Sequence, residues 1–168
     1  MAPDISVNRP MHTSSEMPAE FSTSRVLVGR VQPGKGDASR WLQRFNAAYS
    51  RKLGMPVFPG SLNLALPQVF EWHAPELQPH LVWFGREEYG GERDILLLPC
   101  RLRNLGGQRA FLWTTTTAAR DRPDPWVVEI VAAVGLRAAF RLEDGDEVTL
   151  EVPAGGTTEA ARPSAVAG

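Results

Sequence analysis

Cysteine occurs once, as Cys100, in a chain of 168 residues, so no internal disulfide can form and a reducing compartment, the cytoplasm, is expected. Net charge is equally scarce. A formal charge of -1 and a pI of about 6.3 provide no long-range field toward nucleic acid or an anionic membrane, so any recognition of phosphate must be local. No segment approaches the roughly 20 apolar residues of a membrane span, and the N-terminal MAPDISVNRPMHTSSEMPAEFSTS holds no apolar stretch of signal-peptide type. Neither export nor membrane insertion is expected. His12, His73 and His80 lack metal-motif spacing, which leaves zinc without a ligand set. A G-x-S-x-G elbow is missing, as is any internal repeat.

What is present, 43% hydrophobic and 22% charged residues, has the make-up of one globular core. Residues 1–24 and 153–168 are rich in small and polar residues without apolar periodicity and are expected to be disordered tails, leaving a domain over 25–152. Within it, RVLVGRV (Arg25 to Val31) reads as a strand running into the glycine-rich segment PGKGDAS. Trp41, Leu42, Phe45, Tyr49 and Leu53 recur at helical spacing before Gly54, predicting a single helix from Ser39 to Leu53. After a turn at Pro59-Gly60, Leu62, Leu64 and Leu66 alternate with Ser61, Asn63 and Ala65 as in a half-buried strand. Further strands are expected at Asp94 to Leu102, Arg109 to Thr115, Val127 to Ala132 and Glu147 to Val152, and a short helix at Val134 to Phe140. Without regular βαβ alternation, this is a mainly β fold: a small closed barrel of six strands with one main helix and a short C-terminal helix.

Three constellations could carry chemistry. The segment Gly34-Lys35-Gly36-Asp37-Ala38-Ser39 lies between a strand and a helix, where backbone N–H groups can cradle a phosphate and Lys35 can add a point charge. A glycine-rich connection with a solvated lysine is the alternative. The neighbouring pattern GRVQPGKG nearly spells a Walker A loop, but Gly36 stands where that motif needs a hydroxyl for magnesium. Alternation puts Ser61 and Asn63 on one face, about 6.5 Å apart; their hard, neutral oxygens suit Mg²⁺ completed by phosphates and water, or they simply face solvent. Glu129 interrupts the apolar run VVEIVA on the face of Val127 and Val131. It could serve as a ligand contact or general base, or be an exposed carboxylate or one paired with Arg137.

Taken in order, these pieces resemble the archaeal-type, CTP-dependent riboflavin kinases from about Arg25 to Val152. The family's S-G-x-G-E-G is similar to Pro33-Gly34-Lys35-Gly36-Asp37-Ala38, and its L-G-F/Y-x-P-Y/F-x-G-T-L-N to Leu53 through Asn63. Its E-I-I-A-P, x-x-L-R and L-x-D-G-D resemble Glu129 to Ala133, Gly135 to Arg137 and Leu142 to Asp146. The resemblance implies a cradle-loop barrel, of the RIFT type, in which CTP phosphorylates the ribityl hydroxyl of riboflavin to give FMN and CDP with Mg²⁺. It places nucleotide binding on Gly34 to Ser39 and on Val134, Gly135, Leu136 and Arg137, metal ligands on Ser61 and Asn63, and flavin contacts on Glu129 and Thr117. In the mechanism this suggests, Glu129 is the catalytic carboxylate that orients or deprotonates the acceptor hydroxyl; the chain is expected to be a monomer, and its charge and composition imply no nucleic-acid or membrane partner. Asp37 and Ala38 depart from the family's Glu-Gly, and the Cβ of Ala38 would resist a positive φ, so a different loop geometry is expected. A flavin- or nucleotide-binding barrel without turnover, a kinase of another alcohol, and a DNA-binding barrel are the rival readings, the last opposed by the near-neutral charge.

Overall fold

The computed structural model describes residues 23–34, 36–116 and 124–154, with Asp37 represented by its backbone. Lys35, Thr117 and nearly all of both tails lie outside the described residues.

The strands are β1 (Ser24–Gln32), β2 (Leu62–Ala65), β3 (Val82–Phe84), β4 (Ile95–Leu102), β5 (Gln108–Thr115), β6 (Val127–Ala132) and β7 (Glu147–Pro153). Six of them close into an antiparallel barrel in the order β4-β5-β6-β2-β1-β7, sealed where Arg101 and Leu102 of β4 pair with Glu151 and Leu150 of β7. The extra strand β3 pairs with Ile95 to Leu97 of β4. Closure leaves few unpaired edges and gives every strand an inner face. Alternation fills it: Leu27 and Val31 of β1 meet Leu64, Leu98, Leu102, Leu112, Ile130 and Leu150 inside, all buried. Truncating one such leucine to alanine costs about 2–5 kcal/mol. Gly29 marks where two strands come close, since a Cβ there would stand 3.0 Å from Leu64 Cβ and 3.2 Å from the Ala65 carbonyl oxygen.

The helices α1 (Asp37–Arg44) and α2 (Asn46–Leu53) carry a second core on the outside of the barrel. Their Leu42, Tyr49 and Leu53 pack with Ile95, Leu97, Phe111 and Val131, which explains why the run Ile95 to Leu98 is apolar on both faces. The single helix expected over Ser39 to Leu53 is corrected to these two. Phe45, at φ −108° and ψ 19°, interrupts them, and its ring meets Trp41 and Tyr89 edge-on at 4.8 and 5.0 Å. The apolar spacing survives the break because each segment still turns its own side to the same core. Gly54 ends α2 in the left-handed conformation, φ 64°. The short helix expected near the C-terminus is α4 (Leu136–Phe140). A 3-10 helix at Pro75–His80 and α3 (Arg86–Tyr89) complete the described elements, none of which is long and apolar enough to cross a membrane.

Candidate active site

The end of β1 and the start of β2 bring the glycine turn onto the polar strand face. Gln32 pairs with Asn63, so the chain leaves β1 directly above the Asn63 side chain. Gly34 is packed against it so closely that a Cβ would overlap Asn63 Nδ2. Only a residue without a side chain lets the backbone come that near. Gly36, at φ 81°, then turns the chain into α1. Asp37, Ala38 and Ser39 form the first turn of that helix, and Ala38 does not take a positive φ. The expected conflict at Ala38 therefore does not arise, because the left-handed position falls on the preceding glycine.

Register does the rest. Asn63 stands opposite Glu129 of β6, and Glu129 stands opposite Trp113 of β5, so the three side chains share one face in a row across the strands. Ser61, just before β2, donates its hydroxyl proton to Glu129 Oε2 at 3.2 Å. Ser61, Asn63 and Glu129 are all half-buried. The structure thus joins the two residues expected as metal ligands to the one expected as the carboxylate. It does not join Glu129 to Arg137. Arg137 Nη2 instead donates to Asp144 Oδ1 at 2.7 Å and to the Gln32 carbonyl at 3.0 Å, so the guanidinium is fixed beside the strand end that leads into the glycine turn.

A cleft of about 360 Å³ opens beside this row, reaching it through Ser61 and lined also by Ser39, Phe58, Gly60, Gly135 and Arg137, while Gly34, Asn63 and Glu129 lie outside its lining. Val134 and Leu136 also border it, although the Leu136 side chain is buried in the barrel core, leaving its backbone for any ligand. A second hollow of similar size, about 370 Å³, lies around Arg25, Gln68, Glu71 and Glu76. It sits near the opposite end of β1 and gathers none of the expected site residues, so its size alone gives it no claim. Among the described residues no group of three His, Cys, Asp or Glu side chains is placed to hold a metal; the hard oxygens of this region include those of Ser61, Asn63 and the Glu129 carboxylate.

Behind the row lies a hydrogen-bonded aromatic brace. The Tyr49 hydroxyl, on α2, accepts the indole N–H of Trp41 from α1 at 3.1 Å and that of Trp113 from β5 at 3.0 Å. Burial pushes the Tyr49 phenol up to about 12. The helix that follows the glycine turn is thereby tied to the strand that flanks Glu129. Sequence reasoning singled out neither Trp113 nor Phe58. The signal for Trp113 was its register against Glu129, which requires the β5–β6 pairing to be known.

A family model labelled CTP-dependent riboflavin kinase, and described as a domain of unknown function, DUF120, matches residues 31–152. The chain belongs to this family. The match runs from the end of β1 to the end of β7 and takes in the glycine turn, Ser61, Asn63, Glu129 and Arg137. The riboflavin kinase of Thermococcus kodakarensis is 27% identical over 129 residues, 76% of this chain and 58% of that protein. Those of Methanospirillum hungatei and Pyrobaculum aerophilum are each 31% identical, over 135 and 137 residues. They cover 77% and 75% of this chain, and 58% and 60% of their own lengths. The chain therefore spans about three fifths of the curated relatives it matches.

Proposed function

We propose that this chain is a riboflavin kinase that transfers the terminal phosphoryl group of CTP to the ribityl 5′-hydroxyl of riboflavin, giving FMN and CDP, with Mg²⁺ as cofactor. The observation that carries the reading is the direct packing of the Gly34 turn on Asn63, whose neighbours Ser61 and Glu129 are hydrogen-bonded to each other. A phosphate-cradling backbone, two hard oxygen donors and a carboxylate are what phosphoryl transfer to an alcohol needs in one place. The family membership and the names of the relatives support the same donor and acceptor.

The donor set fits Mg²⁺, which takes one or two protein oxygens beside nucleotide phosphates and water. Ser61 gives its proton to Glu129, so its oxygen lone pairs are left for a cation, and Asn63 supplies an amide oxygen. When bound there, the ion would neutralise charge on the phosphates. The protein's own groups do the remaining work. Backbone N–H groups of the turn, with Lys35 and the fixed Arg137, hold the phosphates; Thr117 and Glu129 hold the flavin. The ribityl oxygen forms its bond to the terminal phosphorus as the bond from that phosphorus to the CDP oxygen breaks, and the hydroxyl proton passes to Glu129. Because the transition state is loose, orientation by Glu129 matters more than its basicity. The same reading makes the chain a cytoplasmic monomer without nucleic-acid or membrane partners, supported by the net charge of -1 and the single cysteine.

The test is incubation of the purified protein with riboflavin, Mg²⁺ and each nucleoside triphosphate in turn, followed by chromatographic separation of FMN. FMN and CDP in equal amounts, with CTP the preferred donor, are expected. No FMN with any nucleotide would overturn the proposal.

A further inference from the structure

Phe58 is an aromatic side chain with nearly half its surface, 45%, in solvent, at the rim of a cleft whose other lining residues are aliphatic, small or polar, with Phe58 the one aromatic ring among them. Its backbone is pinned: its N–H donates to the Ala132 carbonyl at 2.8 Å and its carbonyl accepts from Gly60 N–H at 2.8 Å. Its ring is seated by two glycines. A Cβ at Gly135 would stand 2.9 Å from Phe58 Cζ and 3.1 Å from Cε1 and Cε2, and one at Gly60 would stand 3.0 Å from Cε1. Gly135 has φ −71° and ψ 101°, a conformation open to any residue, so its backbone does not call for glycine. What a side chain at Gly135 would have to move is the ring of Phe58. Two glycines thus border an aromatic ring that belongs to neither core.

We infer that Phe58 is the stacking platform for the base of the donor nucleotide, an inference that rests on the kinase reading above. Three arguments place the base there. Phe58 is hydrogen-bonded to β6 at Ala132, three residues beyond Glu129, or about 10 Å along the strand. That leaves room for the phosphates and ribose between base and reacting phosphorus. The cleft around the ring reaches the glycine turn through Ser39, in the first turn of α1, and Arg137, bonded to the Gln32 carbonyl, and it reaches Glu129 through Ser61, so a nucleotide lying in it passes from the ring to the carboxylate. An acceptor ring system has its own aromatic neighbour, Trp113, directly across from Glu129. Every nucleobase offers a π-face, so Phe58 supplies affinity without choosing among bases. Selection of cytosine then falls to hydrogen-bonding groups elsewhere in the cleft.

The test compares CDP binding by calorimetry, and steady-state kinetics, in the whole chain and in Phe58→Ala, Phe58→Leu and Phe58→Tyr. Phe58→Ala is expected to weaken CDP binding about 5- to 160-fold, the range found for removal of a base-stacking aromatic. The KM for CTP rises in step, while kcat and the KM for riboflavin stay within about twofold, as for a contact made equally in ground and transition states. Phe58→Tyr keeps wild-type affinity, and Phe58→Leu, apolar but without a π-face, does not. An unchanged Tm shows that the fold is intact. CDP affinity within twofold of wild type in Phe58→Ala, or a rise confined to the riboflavin KM, overturns the inference while leaving the kinase reading in place. A wild-type protein that makes no FMN but loses CDP binding on Phe58→Ala does the reverse.

Discussion

Replacing Gly34 with alanine probes the junction on which the site depends. The φ of Gly34 is not in the left-handed region, so an alanine backbone is accommodated and the only cost is steric. The new methyl would occupy space held by Asn63 Nδ2, and one of the two groups must retreat by about 1 Å to restore van der Waals separation. Displacing a positioned group by that amount costs up to about 100-fold in rate, and disturbing the support of a metal ligand costs about 10- to 100-fold in metal affinity or activity. We expect kcat/KM in Gly34→Ala to fall 10- to 100-fold, about 1.4–2.7 kcal/mol, with a higher Mg²⁺ requirement. Stability should change little, because Gly34 is exposed and the steric cost is offset by the about 0.4–1 kcal/mol that glycine to alanine at a permitted φ contributes through the unfolded chain. Gly36→Ala is the contrasting probe: nothing lies within 4 Å of its Cβ, but φ is 81°, so its cost of about 1–2 kcal/mol is backbone strain. FMN formation across a Mg²⁺ titration, with thermal melts of the same samples, gives both readouts. Full activity at an unchanged Mg²⁺ midpoint in Gly34→Ala would refute the reasoning.

Glu129→Gln keeps the shape and an acceptor for Ser61 but removes the charge, and should lower kcat about 10- to 100-fold in single-turnover FMN assays without changing Tm. In Tyr49→Phe the indole N–H groups of Trp41 and Trp113 lose their shared acceptor. That costs about 1–3 kcal/mol, read as a Tm lower by about 3–10 °C. The Tyr49 phenol is held near 12 by burial against about 10 in the unfolded chain, so the fold retains this proton more tightly. Its contribution is fully present below pH 10 and is lost as pH rises from 10 to 12, by up to about 1.4 kcal/mol per pH unit. Urea midpoints measured from pH 9 to 11.5 should fall, and this part of the decline should vanish in Tyr49→Phe.

The six barrel strands were legible because each is either alternating or bounded by turn residues. Leu62, Leu64 and Leu66 placed Ser61 and Asn63 together before any pairing was known, and Val127 to Ala132 was read with the bounds it has. Local periodicity could not register the one-residue break at Phe45. Nor could it register β3 and α3, which at 3 and 4 residues are shorter than any periodic window. Closure through Arg101 and Leu102 depends on partners far apart in sequence. The site was half legible for the same reason. Spacing along β2 marked its donors, but the meeting of Ser61 with Glu129 comes from the register of β2 against β6, and Arg137 is drawn to Asp144 by a turn packed beside it. Phe58 went unread because its significance lies in two glycines, Gly60 and Gly135, one of them distant in the chain.

The most direct measurement is a crystal structure of the chain with CDP, Mg²⁺ and FMN. The account predicts the metal about 2.1 Å from Ser61 Oγ and Asn63 Oδ1, the diphosphate against the turn at Gly34, and the FMN phosphate next to Glu129. Nucleotide bound elsewhere, for instance in the hollow beside Arg25, with the Ser61 and Asn63 oxygens uncoordinated, would contradict it.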